Sequence, residues 1–254
     1  DAVGGVIQIF TRQPQAGVSM AQTFGSYGTR QTDISLGGGD DWIYGLRMGD
    51  KSIEGMQTVV NKANRFGSHQ KYVDGTLSRK LDGNTQLRLG LGYGEGYNND
   101  EYGQNLFRSF SGFARVEHAT TQNWNQTLQL SSFGTNLAVP QGYPPGEFNT
   151  DRTALSWLNV VTLPVGVASL GFETWLDKVT KLDYSNSSNN VSKELVTNAV
   201  YGQYATAWHD FDWQLGARHD QHNVYGEQST FNAALGKKIT SKLQLMTSYG
   251  TAFK

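Results

Sequence analysis

The segment Gln86–Tyr93, QLRLGLGY, carries the pattern on which the fold prediction rests. From Leu87 to Tyr93 a large apolar or aromatic residue occupies every second position, and polar residues or glycine lie between them. Successive side chains of a β-strand point to opposite faces, so this alternation predicts a strand with one apolar and one polar face. The same period of two recurs over 155–163 and 243–253, and no segment shows an amphipathic helical period over three turns. The chain is therefore predicted to be all-β.

We expect about thirteen such strands. They are predicted at roughly 17–25, 28–38, 42–53, 68–80, 84–96, 105–118, 123–134, 152–163, 166–182, 194–208, 211–221, 229–239 and 242–253. Most exceed the ~5–6 residues usual in soluble sheets. They are long enough for the ~9–11 residues with which a tilted strand crosses a bilayer.

The connections between these strands alternate in length. Short ones are predicted at 38–41, 81–84, 119–122, 163–166, 208–211 and 239–242, and longer ones at 53–67, 96–104, 134–151, 183–193 and 220–228. Only the hairpin at 25–28 is short on the side of the long loops. Short turns at one end and long loops at the other are typical of an outer-membrane barrel. The apolar face would meet lipid and the polar face would line the lumen.

Composition agrees with a two-faced barrel wall. The 254 residues carry a net charge of −1, which argues against a nucleic-acid binder. Hydrophobic residues make up 37%, and no apolar run approaches the ~18 residues of a membrane helix. Glycine is abundant, at 30 residues, and cysteine is absent, which excludes disulfides and thiolate metal sites. The alternatives are a soluble sandwich, which favours shorter strands, and a propeller, which needs a blade repeat that we do not find.

The two ends of the chain carry family motifs. The opening run, DAVGGVIQIFTR at 1–12, resembles the last plug strand of TonB-dependent outer-membrane transporters. The closing run, SYGTAFK at 248–254, is similar to a mid-barrel strand of the same family. Within the family the chain looks most like the cobalamin (vitamin B12) transporters, and the hairpins around 90–109 carry that likeness.

This resemblance implies an architecture and a function. The fold would be a transmembrane antiparallel up-and-down β-barrel, here partial, with about thirteen of an expected twenty-two strands. Residues 1–13 would end the N-terminal plug domain, and residues 14–254 would form the N-terminal part of the barrel. The implied function is active cobalamin import across the bacterial outer membrane, powered by the inner-membrane protein TonB. A siderophore or iron-chelate receptor is the first alternative, and a passive porin is the second.

The resemblance also leads us to expect a partial sequence or a truncated gene product. The family's TonB box and C-terminal strand are not in these 254 residues. Thirteen strands would leave two open sheet edges in lipid, so we expect the isolated chain neither to insert stably nor to transport.

Two predicted loops hold the candidate site. In the loop 97–102 the candidates for substrate contact are Tyr97, Asn99 and Tyr102, and in the loop 141–148 they are Tyr143 and Phe148. In the cobalamin subfamily, acidic loops at about this place bind calcium, and oxygen ligands suit that ion. The candidate calcium ligands are Asp100, Glu101, Glu147 and Asp151. The alternative for both loops is an ordinary solvated surface without bound ligand.

Other residues suggest no chemistry. His219 and His222 should lie on opposite faces of one strand, which argues against a metal pair. Arg88, Lys178 and Arg218 are expected on or near the lumen face, with a structural role. No catalytic constellation or phosphate-binding glycine loop is present, so the protein is predicted not to be an enzyme.

Overall fold

The computed structural model describes residues 14–57, 65–142 and 144–253, and these residues form one sheet. The strands are β1 (Gly17–Gly25), β2 (Thr29–Gly38), β3 (Trp42–Met56), β4 (Phe66–Lys80), β5 (Thr85–Asn99), β6 (Gln104–Thr121), β7 (Trp124–Val139), β8 (Gly146–Thr162), β9 (Val167–Asp183), β10 (Val191–Trp208), β11 (Phe211–His222), β12 (Gly226–Thr240) and β13 (Leu243–Gly250). Each pairs antiparallel with the next, in the order of the sequence. Two short 3₁₀ turns, Ser26–Gly28 and Ser187–Asn189, interrupt the connections. The predicted all-β, up-and-down barrel wall is therefore confirmed.

The register gives the sheet one apolar and one polar face, as the alternation predicts. Leu91 lies opposite Gly112, and Tyr93 lies opposite Phe110, all on the apolar face. Leu91 keeps 66% of its surface exposed, and in the described part of the chain no large side chain is fully buried. Among the described residues no second layer covers this face, which argues against a sandwich core. Lipid is the environment that such a surface requires.

Glycine and aromatic residues meet across strands on the polar face. An aromatic ring lies over the glycine of the neighbouring strand in four pairs: Tyr72 over Gly49, Phe113 over Gly90, Phe107 over Gly96, and Tyr201 over Gly171. A Cβ atom at Gly171 would come within 2.1 Å of the Tyr201 ring. Glycine thus makes room for rings that lie flat on the wall, which is one reason for the glycine-rich composition.

Several strands extend further than the sequence predicts. The loop expected at 134–151 is wrong over most of its length, because β7 continues to Val139 and β8 begins at Gly146. Above the lipid the outward side chains become polar, as at Asn136 and Asn149, so the apolar alternation disappears while the strand pairing continues. The connection is only 140–145. The other predicted long loops are shorter than expected too, because the strands on either side of them extend further.

Five of the six tryptophans lie on the apolar face toward the short turns. Trp42 and Trp124 begin β3 and β7, Trp208 ends β10, and Trp213 lies near the start of β11. Trp157 lies opposite Leu128, further into the apolar surface. This arrangement fits an aromatic girdle at one membrane interface. No helix in the described ranges is long and apolar enough to cross a membrane.

Candidate functional site

The polar face carries three ionic clusters, and the first joins β2, β3 and β4. Arg47 Nη2 donates to Asp33 Oδ1 over 3.0 Å, and Gln31 Nε2 donates to Asp33 Oδ2 over 2.6 Å. The hydroxyl of Tyr72 donates to the same carboxylate, reaching across β3 at Gly49. The carboxylate is thereby surrounded by donors, which offsets the cost of placing its charge on a sheet surface.

The second cluster joins β5, β6 and β7. Arg88 and Arg115 each lie 3.6 Å from the carboxylate of Glu117. The Nε of Arg115 also donates to Gln129 over 2.7 Å. Two guanidinium groups share one carboxylate, so this cluster carries a net positive charge.

The third cluster is the largest and crosses β8 to β11. Arg152 donates two hydrogen bonds to Asp177, from Nε over 2.5 Å and from Nη2 over 2.7 Å. Arg218 donates from Nη1 to Glu173 over 3.0 Å and from Nε to Asp220 over 3.0 Å. Three carboxylates face two guanidinium groups, which makes this part of the wall acidic.

Trp175 connects the two halves of this third cluster. Its ring lies 5.6 Å from the guanidinium carbon of Arg152 and 5.8 Å from that of Arg218, within cation–π range. Ala199 lies between Glu173 and Asp220 in the register and is 1% exposed. A small residue at this position lets the charged side chains meet above it. Together the three clusters link the polar side chains of neighbouring strands on this face of the sheet.

An apolar row lies on the same face near the longer connections. Phe107, Leu137, Phe148 and Lys181 are direct register neighbours on β6, β7, β8 and β9. Leu137 keeps 39% of its surface exposed and Phe148 keeps 40%. We call these four residues the mouth row. They offer an apolar contact surface with one cation beside it.

The other predicted substrate residues lie elsewhere. Tyr97 lies opposite Leu106 on the apolar-face side and contacts His69 edge to face, with ring centroids 5.8 Å apart. Asn99 ends β5 on the same side, and Tyr102 is exposed in the connection after it. Tyr143 lies outside the described residues. The structure therefore places Phe148 on the polar face and does not bring Tyr97 and Asn99 to it.

The predicted calcium ligands also stay apart, and two are occupied by protein donors. Asp100 Oδ1 accepts from the amides of Tyr102 and Gly103 over 2.8 and 3.0 Å, and its Oδ2 accepts from Asn105 over 2.7 Å. These donors, with that of Asn105 foremost, hold the pKa of Asp100 below its usual value. Glu101 follows in the exposed turn.

Glu147 and Asp151 lie inside β8 and not in the predicted loop. Glu147 Oε1 accepts from Asn149 over 3.0 Å, and its Oε2 accepts from the hydroxyl of Tyr184 over 3.0 Å. Asp151 lies opposite Lys178 on the outer side of the wall. Within the described part of the chain no three metal-ligating side chains form a cluster. Calcium binding therefore stays a prediction.

The remaining titratable candidates have structural roles. His219 Nδ1 lies 2.9 Å from Ser229 Oγ, whereas His222 Nδ1 accepts from the amides of Val224 and Tyr225. The two histidines lie on opposite faces, as the spacing predicts. Lys178 does not face the lumen; it pairs with Glu194 on the outer side at 3.0 Å.

Sequence reasoning named Phe148 and Arg218 but missed the other members of the mouth row and of the third cluster. Phe107, Leu137 and Lys181 lie far apart in the sequence, and each has an unremarkable local context. In an antiparallel hairpin the position of the turn determines which residues of the two strands lie opposite each other. Pairing the strands outward from each turn would therefore have placed Phe107, Leu137 and Lys181 in one row. That alignment requires the correct loop lengths, and those were predicted too long.

Known proteins resemble this chain in sequence and in fold. The vitamin B12 transporter of Vibrio cholerae is 24% identical over an alignment that covers 100% of this chain and 44% of that protein. The chain thus spans less than half the length of the curated relatives it matches. No family model matches.

Solved structures share the fold at lower identity. The ferric enterobactin receptor of Pseudomonas aeruginosa superposes with a TM-score of 0.78 at 15% identity, over 97% of this chain and 45% of that one. The siderophore receptor of Acinetobacter baumannii gives 0.74 at 14% identity, over 91% and 42%. The sheet thus has the fold of an outer-membrane β-barrel wall. In sequence and in fold, the chain resembles the TonB-dependent outer-membrane receptors.

Proposed function

We propose that the chain forms part of the barrel wall of a TonB-dependent receptor that imports cobalamin. The mouth row is the observation that carries this proposal, because it places an exposed apolar strip on the polar, lumen-lining face. Large ligands with apolar surface bind to such strips, while the surrounding polar wall stays hydrated. The sequence similarity to a vitamin B12 transporter, which covers 100% of this chain and 44% of that protein, favours cobalamin as the ligand.

The position of Pro14 supports a plug on the lumen side. Its ring lies against the polar face at Gly37 and Gly45, where an added Cβ at Gly45 would come within 2.7 Å of it. The chain therefore enters β1 from the polar face. This favours the proposal that the residues before 14 belong to a plug inside the barrel, and it disfavours a passive porin.

A siderophore is the second candidate ligand. The fold superposes on a ferric enterobactin receptor as well as on other siderophore receptors. Lys181 beside Phe148 would suit an anionic, aromatic iron chelate. Cobalamin and siderophore receptors would use the same wall, so direct binding measurements must separate them.

The test measures binding of labelled cyanocobalamin and of a ferric catecholate siderophore to outer membranes that contain the protein. We expect Phe148→Ala to weaken binding of the true ligand about thirtyfold, because burying a phenylalanine side chain under the ligand contributes roughly 2 kcal/mol. Phe110→Ala is the matched control, since Phe110 is similarly exposed but lies on the lipid side. Equal loss in both variants would contradict a ligand site at the mouth row.

Two further arms address energy coupling and calcium. Uptake, unlike binding, should disappear in cells that lack TonB, because the proposed transport is active. If calcium orders the site, chelating it should weaken cyanocobalamin binding, and Glu147→Gln should remove that dependence. If chelation leaves cyanocobalamin binding unchanged, calcium is not part of the site, and the assignment of the ligand is not affected.

A further inference from the structure

The second cluster of the polar face contains hydrogen-bond donors that the described residues do not satisfy. Arg88 and Arg115 are direct register neighbours on β5 and β6, so two like charges lie side by side on one face of the sheet. Such a pair is unfavourable unless an acceptor joins the two groups. Within the described residues, the buried Nε of Arg88 has no hydrogen-bond partner. Because buried polar groups in folded proteins are almost always paired, this atom indicates a missing acceptor.

In the described part of the chain, three side chains offer acceptors to these two guanidinium groups. Gln86 accepts from Arg88 Nη2 over 3.2 Å, and Gln129 accepts from Arg115 Nε over 2.7 Å. The carboxylate of Glu117 lies 3.6 Å from each arginine, beyond the ~2.7–2.9 Å of a charge-assisted hydrogen bond. Each guanidinium has more N–H donors than these contacts use. An oxyanion would supply the acceptors that are lacking.

The nearest other carboxylates on the polar face are farther away and lie beside cations of their own. Asp74 is the register neighbour of Arg47 and lies about 13 Å along β4 from the row of Arg88. Glu173 lies in that row three strands beyond β6, and it pairs with Arg218 at 3.0 Å. At the cluster itself two guanidinium groups therefore face one carboxylate.

The short turns below the cluster carry further charges of both signs. Asp40, Asp41 and Asp82 lie in these turns and are exposed, and Arg79 and Lys80 end β4 beside them. Asp41 pairs with Arg79 at 2.8 Å, and Asp82 accepts hydrogen bonds within its own turn. Water screens these exposed groups, so they do not neutralise the cluster above them.

The cluster lies on the lumen wall below the mouth row. Arg115 is eight positions beyond Phe107 on β6, about 26 Å further toward the short turns. Its guanidinium carbon lies 5.7 Å from the centre of the Phe113 ring, which lies over Gly90. The side chains of Arg88 and Arg115 keep 32% and 37% of their surface exposed, so they are accessible from the lumen.

We propose that Arg88 and Arg115 together bind an oxyanion, a phosphate or carboxylate group, of the imported ligand as it moves down the lumen. The backbones of neighbouring strands are about 4.8 Å apart, so both guanidinium groups can contact one oxyanion. Glu117 opposes the negative charge and keeps the binding weak, which allows the ligand to leave again. The assignment to the imported ligand rests on the proposed function, whereas oxyanion binding by the cluster does not.

The first test measures the site with inorganic phosphate on the protein in uncharged detergent. Phenylglyoxal modifies exposed arginines, and mass spectrometry of the peptides gives the rate at each one. We expect saturating phosphate to slow modification of Arg88 and Arg115 about tenfold and to leave Arg79, which is paired with Asp41 on the other face, unchanged. Glu117→Gln should lower the phosphate concentration needed, an effect that loss of structure would not produce. Modification that is equally fast or equally slow with and without phosphate would overturn the site.

The second test asks whether the imported ligand uses the site. In cells, R88Q/R115Q should slow TonB-dependent uptake about fivefold and leave binding of the ligand at the mouth row unchanged. The matched control, K51Q/K238Q, removes two cations elsewhere on the polar face and should leave uptake unchanged.

The outcomes separate this proposal from the proposed function. Phosphate protection combined with normal uptake by R88Q/R115Q would show a site for the free anion only and would overturn its use by the ligand. Wild-type cells that take up neither cyanocobalamin nor the siderophore would contradict the proposed function, while the phosphate measurement would still decide whether the oxyanion site exists.

Discussion

At the scale of single residues, glycines determine how the rings lie on the lumen wall. Gly171→Ala should destabilise the barrel by about 1–3 kcal/mol, because its Cβ would overlap the ring of Tyr201 and force it off the wall. Gly75→Ala is the control, since its nearest neighbour is 3.9 Å away on the open lipid side. Urea unfolding in detergent, followed by tryptophan fluorescence, measures both variants. Equal stability of the two would contradict the close packing of Tyr201.

A single carboxylate organises the connection after β9. Asp183 accepts from the hydroxyl of Ser185, the amide nitrogen of the Asn189 side chain, and two backbone amides, and these donors lower its pKa well below the usual value. A lowered pKa means that the stabilisation is present above pH ~3.9 and is lost as the pH falls through the lower folded value. Asp183→Asn should therefore speed hydrogen exchange in 184–190 at neutral pH.

That difference between wild type and Asp183→Asn should shrink as the pH falls toward the folded pKa, because the wild-type carboxyl then becomes neutral too. Asp210→Asn, in the short turn after β10, is the control and should leave the exchange of 184–190 unchanged. A difference that persists undiminished in acid would show that charge is not what holds this turn.

At the scale of elements, the sequence predicted thirteen strands and their order but placed several strand ends too early. Alternation of apolar residues identifies a strand only where one face meets lipid, as at Leu87–Tyr93. In β7 and β8 the upper pairs, such as Asn136 with Asn149, are polar on both partners, so hydropathy carries no signal there. Their strand structure depends on cross-strand hydrogen bonds, which local sequence does not reveal.

The upper parts of β7 and β8 provide the test at this scale. We expect backbone amides of 146–151 to exchange slowly, as paired strands do, and Thr150→Pro to remove that protection and to disturb 135–139 on β7. Thr150 lies between Thr135 and Val179, so a proline there removes a donor in the middle of the sheet. Gln141→Pro, in the connection, should have little effect. Fast exchange of the 146–151 amides in the wild type would show that these residues form a loop, as the sequence predicted, and not a paired strand.

At the scale of the whole molecule, the candidate site was predictable only in part. Phe148 was predicted as a substrate contact in a loop; it lies in β8 on the polar face, and its register neighbour Leu137, with Phe107 beyond, was not among the predicted residues. The neighbours in the mouth row are separated by between 11 and 33 positions along the chain, and only the register brings them together. The family resemblance rested on terminal motifs, of which the opening one lies outside the described residues, so it could not supply that register.

The last prediction concerns the orientation of the barrel in the membrane. Because the 254 residues contain no cysteine, a single introduced cysteine is the only thiol in them that can be labelled. Ser187→Cys places one thiol in the connection after β9, and Gly83→Cys places one in the short turn before β5, where nothing lies within 4 Å of an added Cβ. Longer connections of outer-membrane barrels face the outside and short turns face the periplasm. A membrane-impermeant maleimide on intact cells should therefore label Ser187→Cys only. Permeabilised cells should show labelling of both variants, which confirms that both thiols are reactive. Labelling of Gly83→Cys on intact cells would invert the topology and move the mouth row to the periplasmic end, where it could not meet an external ligand.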